Sequence, residues 1–171
     1  MLCVTGYVAM LRAVNVAGTG KLPMAELKAI GEACGFANAR TFIASGNLLF
    51  DSDLPESDVT RLVADRVEAF CGKPVPVFVR SAAEMAKVAA ANPFAGQPGN
   101  RVVAHFMAVA PTQAMIDAAT GRKDEQLALG TREIYIFYGE GMGTSKLKLP
   151  AFKDGTARNM NSVTKMAELL A

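Results

Sequence analysis

The sequence has no tryptophan, a single histidine, three cysteines and three tyrosines, and each shortage removes a class of function. One histidine rules out any multi-histidine metal site, and no acidic pair has a spacing that points to a metal or to paired acid–base work. Cys3, Cys34 and Cys71 are odd in number and far apart, with none of the spacings of a zinc site. They read as free thiols of a reducing cytosol, Cys34 continuing an apolar helical face and Cys71 following Phe70 at a helix end. No apolar run of about 18 residues occurs, so no transmembrane helix is expected. The start, Met1–Tyr7, lacks the charged and long apolar regions of a signal peptide. A soluble, cytoplasmic chain is the expectation.

An excess of one charge is missing too. Eighteen basic residues face sixteen acidic ones, for a net charge of +2, which gives no strong electrostatic footprint for nucleic acid and leaves room for a local basic site. The glycine-flanked aromatic motif of sheet-type RNA binders is absent, and Tyr7 and Phe50 stand isolated in the sequence. What is present is ordinary globular material: 51% hydrophobic and 20% charged residues in 171. A chain of this length buries roughly 70% of its unfolded surface, which argues against extended disorder.

Periodicity places the elements. Tyr7–Val14 reads as a buried strand, followed by a Gly18-Thr19-Gly20 loop. Met24, Leu27, Ile30 and Cys34 share one helical face, with Pro23 at the first helical position and Gly35 as the stop. Residues 40–44 and 48–50 read as short strands around the turn Ser45-Gly46-Asn47. A helix capped by Ser52 or Asp53 carries Val59, Leu62, Val63, Val67 and Phe70 and closes at Gly72, and residues 75–79 are a strand. Asp51, Asp53, Glu56 and Asp58 gather at the start of that helix, where its dipole favours them. Strand, helix, strand, strand, helix, strand is the split βαβ order of a ferredoxin-like unit.

After a capping box at Ser81–Glu84, a helix to about Ala91 ends before Asn92-Pro93. Residues 102–109 form a strand, 112–119 a short helix, and 126–129 and 133–138 two more strands. Residues 146–152 stay ambiguous, and a last helix is capped by Asn161 or Ser162. The expected fold class is α+β, with two ferredoxin-like subdomains and mainly antiparallel sheets, divided into residues 1–80 and 81–171.

Polar residues at loop positions are the functional candidates. Arg12 and Asn15 end the first strand, and Lys21 follows the Gly-Thr-Gly loop. If the first and third strands are antiparallel neighbours, Asn47 and Ser45 approach Arg12 and Asn15. Arg supplies a fork of donors, Asn a donor and an acceptor, and Ser a hydroxyl, a set suited to phosphate or carboxylate. The alternative is that Ser45 and Asn47 only build the turn while Arg12 caps carbonyls or pairs with a carboxylate. Thr156, Arg158, Asn159 and Asn161 precede the last helix, where unpaired N–H groups and the dipole favour an anion; plain capping explains one of the four. Gly139–Lys146 joins a glycine-rich loop to Ser145 and Lys146. Its spacing is neither a Walker loop nor a dinucleotide fingerprint, and a flexible connection is the better explanation. His105 lies inside a strand on the face opposite Ala104 and Phe106, the place of a surface or core residue rather than of a catalyst.

Residues 7–16 (YVAMLRAVNV), Ser45-Gly46-Asn47, Asn92-Pro93-Phe94 and Thr156-Ala157-Arg158-Asn159-Met160-Asn161 resemble, in order and across nearly the whole chain, the bacterial domain-of-unknown-function family 1697. Its usual forms are Leu-Arg-Gly-Ile-Asn-Val, Gln-Ser-Gly-Asn and Thr-Thr-Arg-Asn-Trp-Asn. This chain departs at Ala13, Ala44, Ala157 and Met160. The resemblance implies two ferredoxin-like subdomains and marks Arg12, Asn15, Lys21, Ser45, Asn47, Lys146, Thr156, Arg158, Asn159 and Asn161 as positions that match the pattern. It implies no activity, cofactor or reaction. The expectation is a small anionic or phosphate-bearing ligand bound at the junction of the two halves. The alternatives are a protein-interaction or oligomerisation module, such as a homodimer, and RNA or DNA binding.

Overall fold

The structure is a computed structural model, and it describes residues 3–14 and 21–171. Asn15 and the Gly18-Thr19-Gly20 loop lie outside the described residues. The chain forms two compact units, residues 1–85 with 166–171, and residues 86–165.

The first unit runs β1 (Thr5–Leu11), α1 (Met24–Ala33), β2 (Ala37–Thr41), β3 (Asn47–Ser52), α2 (Glu56–Cys71) and β4 (Val77–Ser81). Its four strands are antiparallel in the order β2-β3-β1-β4, the ferredoxin-like arrangement. Alternation puts Tyr7, Ala9 and Leu11 of β1 on one face with Leu48, Phe50 and Val79. Leu27 and Ile30 of α1 and Val59, Val63 and Val67 of α2 close over that face. Each fully buried aliphatic side chain there adds about 1.5–3 kcal/mol. Tyr7 and Phe50 are not isolated in space: their ring centroids are 5.7 Å apart, and Phe36 stacks on Phe50 at 4.0 Å.

Two helix starts differ from the expectation. Pro23 is the N-cap of α1, not its first residue, and Pro55 is the N-cap of α2. Ser52 accepts from the Leu54 N–H just before α2, so neither it nor Asp53 caps the helix. The ends follow the sequence: Gly35 (φ 83°) and Gly72 (φ 75°) take the left-handed conformation that a Cβ opposes.

The capping box at α3 (Ala82–Ala90) forms as expected, Glu84 N–H donating to Ser81 Oγ and Ser81 N–H to Glu84 Oε1, both at 3.2 Å. The second unit continues with β5 (Val102–Met107), α4 (Gln113–Asp117), β6 (Gln126–Leu129), β7 (Glu133–Phe137), β8 (Gly155–Asn159) and the first half of α5 (Met160–Leu170), whose residues from Met166 on belong to the first unit. Its sheet has the order β6-β7-β5-β8, which repeats the first. The crossing from β7 to β8, however, holds only two 3-10 turns, Met142–Thr144 and Pro150–Asp154. The ambiguous stretch 146–152 is resolved as a bridge of Lys148 to Thr120 followed by the second of those turns.

Strand β8 is the main departure from the sequence expectation: Thr156–Asn159 form no loop but a strand paired with β5. His105 sits on the core face with Val103 and Met107. Its Nε2 donates to the Ala151 carbonyl at 2.9 Å and its ring meets Phe152 edge-on. A Cβ at Gly155 would stand 2.5 Å from that nitrogen, so the imidazole occupies the space a side chain would need.

Candidate functional site

At one end of the first sheet, two loops and the end of β1 come together. Met10 lies opposite Asn47, and Leu11 N–H donates to the Gly46 carbonyl at 2.9 Å. The turn 42–47 therefore lies beside the end of β1, as the antiparallel argument required. Gly46 has φ 89°, and a Cβ there would fall 2.5 Å from Val14 Cγ2; only glycine fits. Asn47 is fully buried, and its Nδ2 donates to the Phe42 carbonyl (2.9 Å) and to Ser45 Oγ (3.1 Å) while Phe42 N–H donates to its carbonyl. Asn47 thus builds the turn, and Ser45 stays at the surface with its hydroxyl oxygen accepting from it.

Arg12 follows β1 directly. Its N–H donates to the Pro76 carbonyl at 3.0 Å, which fixes its backbone, and its side chain is half-buried. Among the described residues the guanidinium makes no hydrogen bond and no ion pair. The neighbouring backbone is strained. Ala13 has φ 56° and Ile43 φ 51°, a region costly for any residue with a Cβ and worst for a β-branched one. Nothing in the sequence marks Ile43 for this conformation. Lys21 is exposed just ahead of α1. Because α1 runs antiparallel to β1, its positive N-terminal end lies at this same end of the unit.

The second group of candidates is held differently. Thr156 and Arg158 share one face of β8, opposite Phe106 and Ala104. Arg158 is 6% exposed, and its Nη1 donates to Thr156 Oγ1 (2.8 Å) and to the Ala157 carbonyl (2.9 Å). Burial lowers its pKa to about 10. Asn159, not Asn161 or Ser162, caps α5: its Oδ1 accepts from Ser162 N–H at 2.9 Å. Asn161 is exposed in the first turn. Arg80, which sequence reasoning passed over, occupies the matching place in the first unit. It is 2% exposed and paired with Val8, its Nη1 donates to the carbonyl before it, and it precedes the cap Ser81 by one residue.

Lys146 lies in a polar cleft of about 210 Å³ with Lys123, Asp124, Glu140, Thr144 and Ser145. Glu125 anchors this loop through Lys123 N–H and Ser145 Oγ, both at 2.6 Å, and those bonds, the Lys123 one foremost, hold its carboxyl below the ordinary range. The glycine-rich loop is tied down by carboxylates, since Asp124 accepts from Glu140 N–H as well. A phosphate cradle needs converging donors instead. Among the described residues no cluster of three or more His, Cys, Asp or Glu is placed to hold a metal, and no helix is long and apolar enough to cross a membrane.

With the geometry in place, comparison with known proteins places the chain. The family described as a protein of unknown function, DUF1697, matches residues 4–135. The chain belongs to the DUF1697 family. No curated protein matches it. The conserved bacterial protein SP0830 from Streptococcus pneumoniae has a similar fold, with a TM-score of 0.77 and 22% identity over 99% of this chain and 100% of that one. The glycine that the DUF1697 pattern places after Arg12 now has a physical reason, because Ala13 adopts a backbone conformation natural to glycine. Met160, where the pattern has tryptophan, is buried at the start of α5, so this is a packing position.

Proposed function

We propose that this DUF1697 protein binds a small anionic ligand, phosphate- or carboxylate-bearing, at the Arg12 end of the first sheet. One observation carries the reading: a half-buried guanidinium with no internal partner among the described residues, directly before Ala13 in strained left-handed backbone. A guanidinium offers five donors in a planar fork that matches a phosphate or carboxylate edge. Strain of this kind persists only where surrounding structure enforces it, and it gathers at ligand clamps. Lys21, just ahead of α1, adds a cation at the same end of the unit, where the α1 dipole end is balanced by Glu26 in its first turn. Among the described residues no nucleophile paired with a base lies there, so binding is proposed without a reaction.

Thermal shift against inorganic phosphate, pyrophosphate, sugar phosphates, nucleoside monophosphates and dicarboxylates tests the reading. A ligand at 100 times its Kd stabilises by about 2.7 kcal/mol, about 5–10 °C for a chain of this size. Arg12→Met is expected to abolish the shift, and Arg61→Ala on the exposed face of α2 to leave it intact. An unchanged shift in Arg12→Met rejects the site. Tyr7 and Phe50 are both buried in the core, so neither offers an exposed ring for stacking a base.

A further inference from the structure

The solvent side of the helical layer in the first unit is grooved. Between α1 and α2 runs an open channel of about 540 Å³ whose floor is Ala29, Ile30, Ala33 and Ala69, with Phe70 as one wall. Phe70 is 46% exposed, and the three alanines are exposed with it. Alanines on facing helices let a third helix approach closely, its ridges entering the channel. The walls are α-helices whose backbone groups are bonded internally, so an extended strand would find no ladder to join. An apolar stripe on a helix is the shape that fits.

Charge narrows the partner further. Glu26 and Asp65 line the channel. The third charged residue there, Arg66, is turned onto the Cys34 thiol and interacts with it. Across α1 and α2 there are six carboxylates (Glu26, Glu32, Glu56, Asp58, Asp65, Glu68) against three cations (Lys28, Arg61, Arg66), in a chain whose net charge is +2. Arg61 and Asp58 pair with each other at 3.5 Å, which leaves the excess of carboxylates unchanged. The layer is thus locally acidic on a molecule that is basic elsewhere. A second copy docking the same face would bring together two patches of the same net negative charge, which opposes that association.

We infer that the α1–α2 groove is a docking site for an amphipathic helix of another protein, apolar along one stripe and basic at its flanks. Neither Arg12 nor Lys21 lines this groove, and the inference does not depend on the anion site.

The test uses two synthetic helical peptides of roughly four turns with the same leucine stripe, one flanked by lysine and one by glutamate. Fluorescence anisotropy on the full chain is recorded at about 50 and 300 mM salt. The lysine peptide is expected to bind and to weaken at the higher salt, while the glutamate peptide stays unbound. Ala33→Lys, which places a long cationic side chain across the floor, is expected to weaken binding about tenfold or more. The double variant Glu26→Gln/Asp65→Asn is expected to flatten the salt dependence. Circular dichroism of each variant checks folding, and Ala29→Gln, a milder obstruction, stands in if Ala33→Lys does not fold. Equal binding of both peptides, no binding of either, or binding that neither floor variant alters would each overturn the assignment. So would sedimentation showing self-association that Ala33→Lys removes, because the groove would then belong to a second copy.

Discussion

Replacing Ala13 with glycine should make this protein more stable and weaken anion binding at the proposed site. Ala13 sits at φ 56° with its methyl group exposed, so the substitution gives up almost no packing. Left-handed backbone costs an L-residue about 1–2 kcal/mol. Glycine returns part of that, about 0.4–1 kcal/mol, through the extra freedom of the unfolded chain. The net gain is about 0.5–1 kcal/mol, read in equilibrium urea unfolding as a midpoint rise of about 0.3–0.5 M at unchanged slope. Ala29→Gly in the exposed face of α1 is the control, with an expected loss of about 1 kcal/mol, because ordinary helical backbone favours alanine. Glycine also frees the backbone beside Arg12, so anion affinity should fall about three- to tenfold as that freedom is frozen on binding. If Ala13→Gly loses stability as the control does, the left-handed strain at this position is not real. If stability rises and affinity holds, the strain has no part in presenting Arg12.

The other expectations can be checked alongside. Gly46→Ala should cost more than about 2 kcal/mol in urea unfolding, combining left-handed strain with a Cβ driven into Val14. Asn159→Ala should cost about 1 kcal/mol as a lost helix cap, and Asn161→Ala close to nothing; equal losses would contradict the cap seen at Asn159. Glu125 has its pKa lowered from the ordinary 4.5 by Lys123 N–H first and then by Ser145. Its contribution to stability is therefore complete above 4.5 and is lost as pH falls through the lower folded value. Hydrogen exchange in residues 139–147 should accelerate over that acid window in the native protein, and Glu125→Gln should remove the pH dependence while raising exchange at neutral pH. A flat profile in the native protein would detach Glu125 from the loop's order.

Much of the fold was legible because burial and period agree. Val59, Val63 and Val67 mark α2 by spacing, Ser81 and Glu84 mark the start of α3, and Ser45-Gly46-Asn47 marks the turn whose partner end of β1 could be deduced from topology alone. Strand β8 was hidden because Gly-Thr-Ala-Arg-Asn has no apolar alternation; it is a strand because β5 supplies the ladder and because Arg158 is buried on it. With that strand unseen, the cap of α5 was sought at Asn161 or Ser162, two to three residues too late. The candidate site was legible in its residue types but not in their employment. Asn47 and Asn159 use their amides on a turn and a cap, whereas the Arg12 guanidinium makes no hydrogen bond or ion pair among the described residues. The feature that separates Arg12 from the rest, left-handed backbone at Ala13 and Ile43, leaves no mark on composition or periodicity.

The assignment of residues 166–171 to the first unit has a consequence for biosynthesis. Arg40 donates to the Leu169 carbonyl at 2.6 Å, and Leu170 lies beside Gly6. The ribosome must therefore translate the whole intervening span 86–165 before the earlier-made unit can be finished. At about 5–20 residues per second, the nascent chain waits on the order of 4–16 s with that closing segment still unmade.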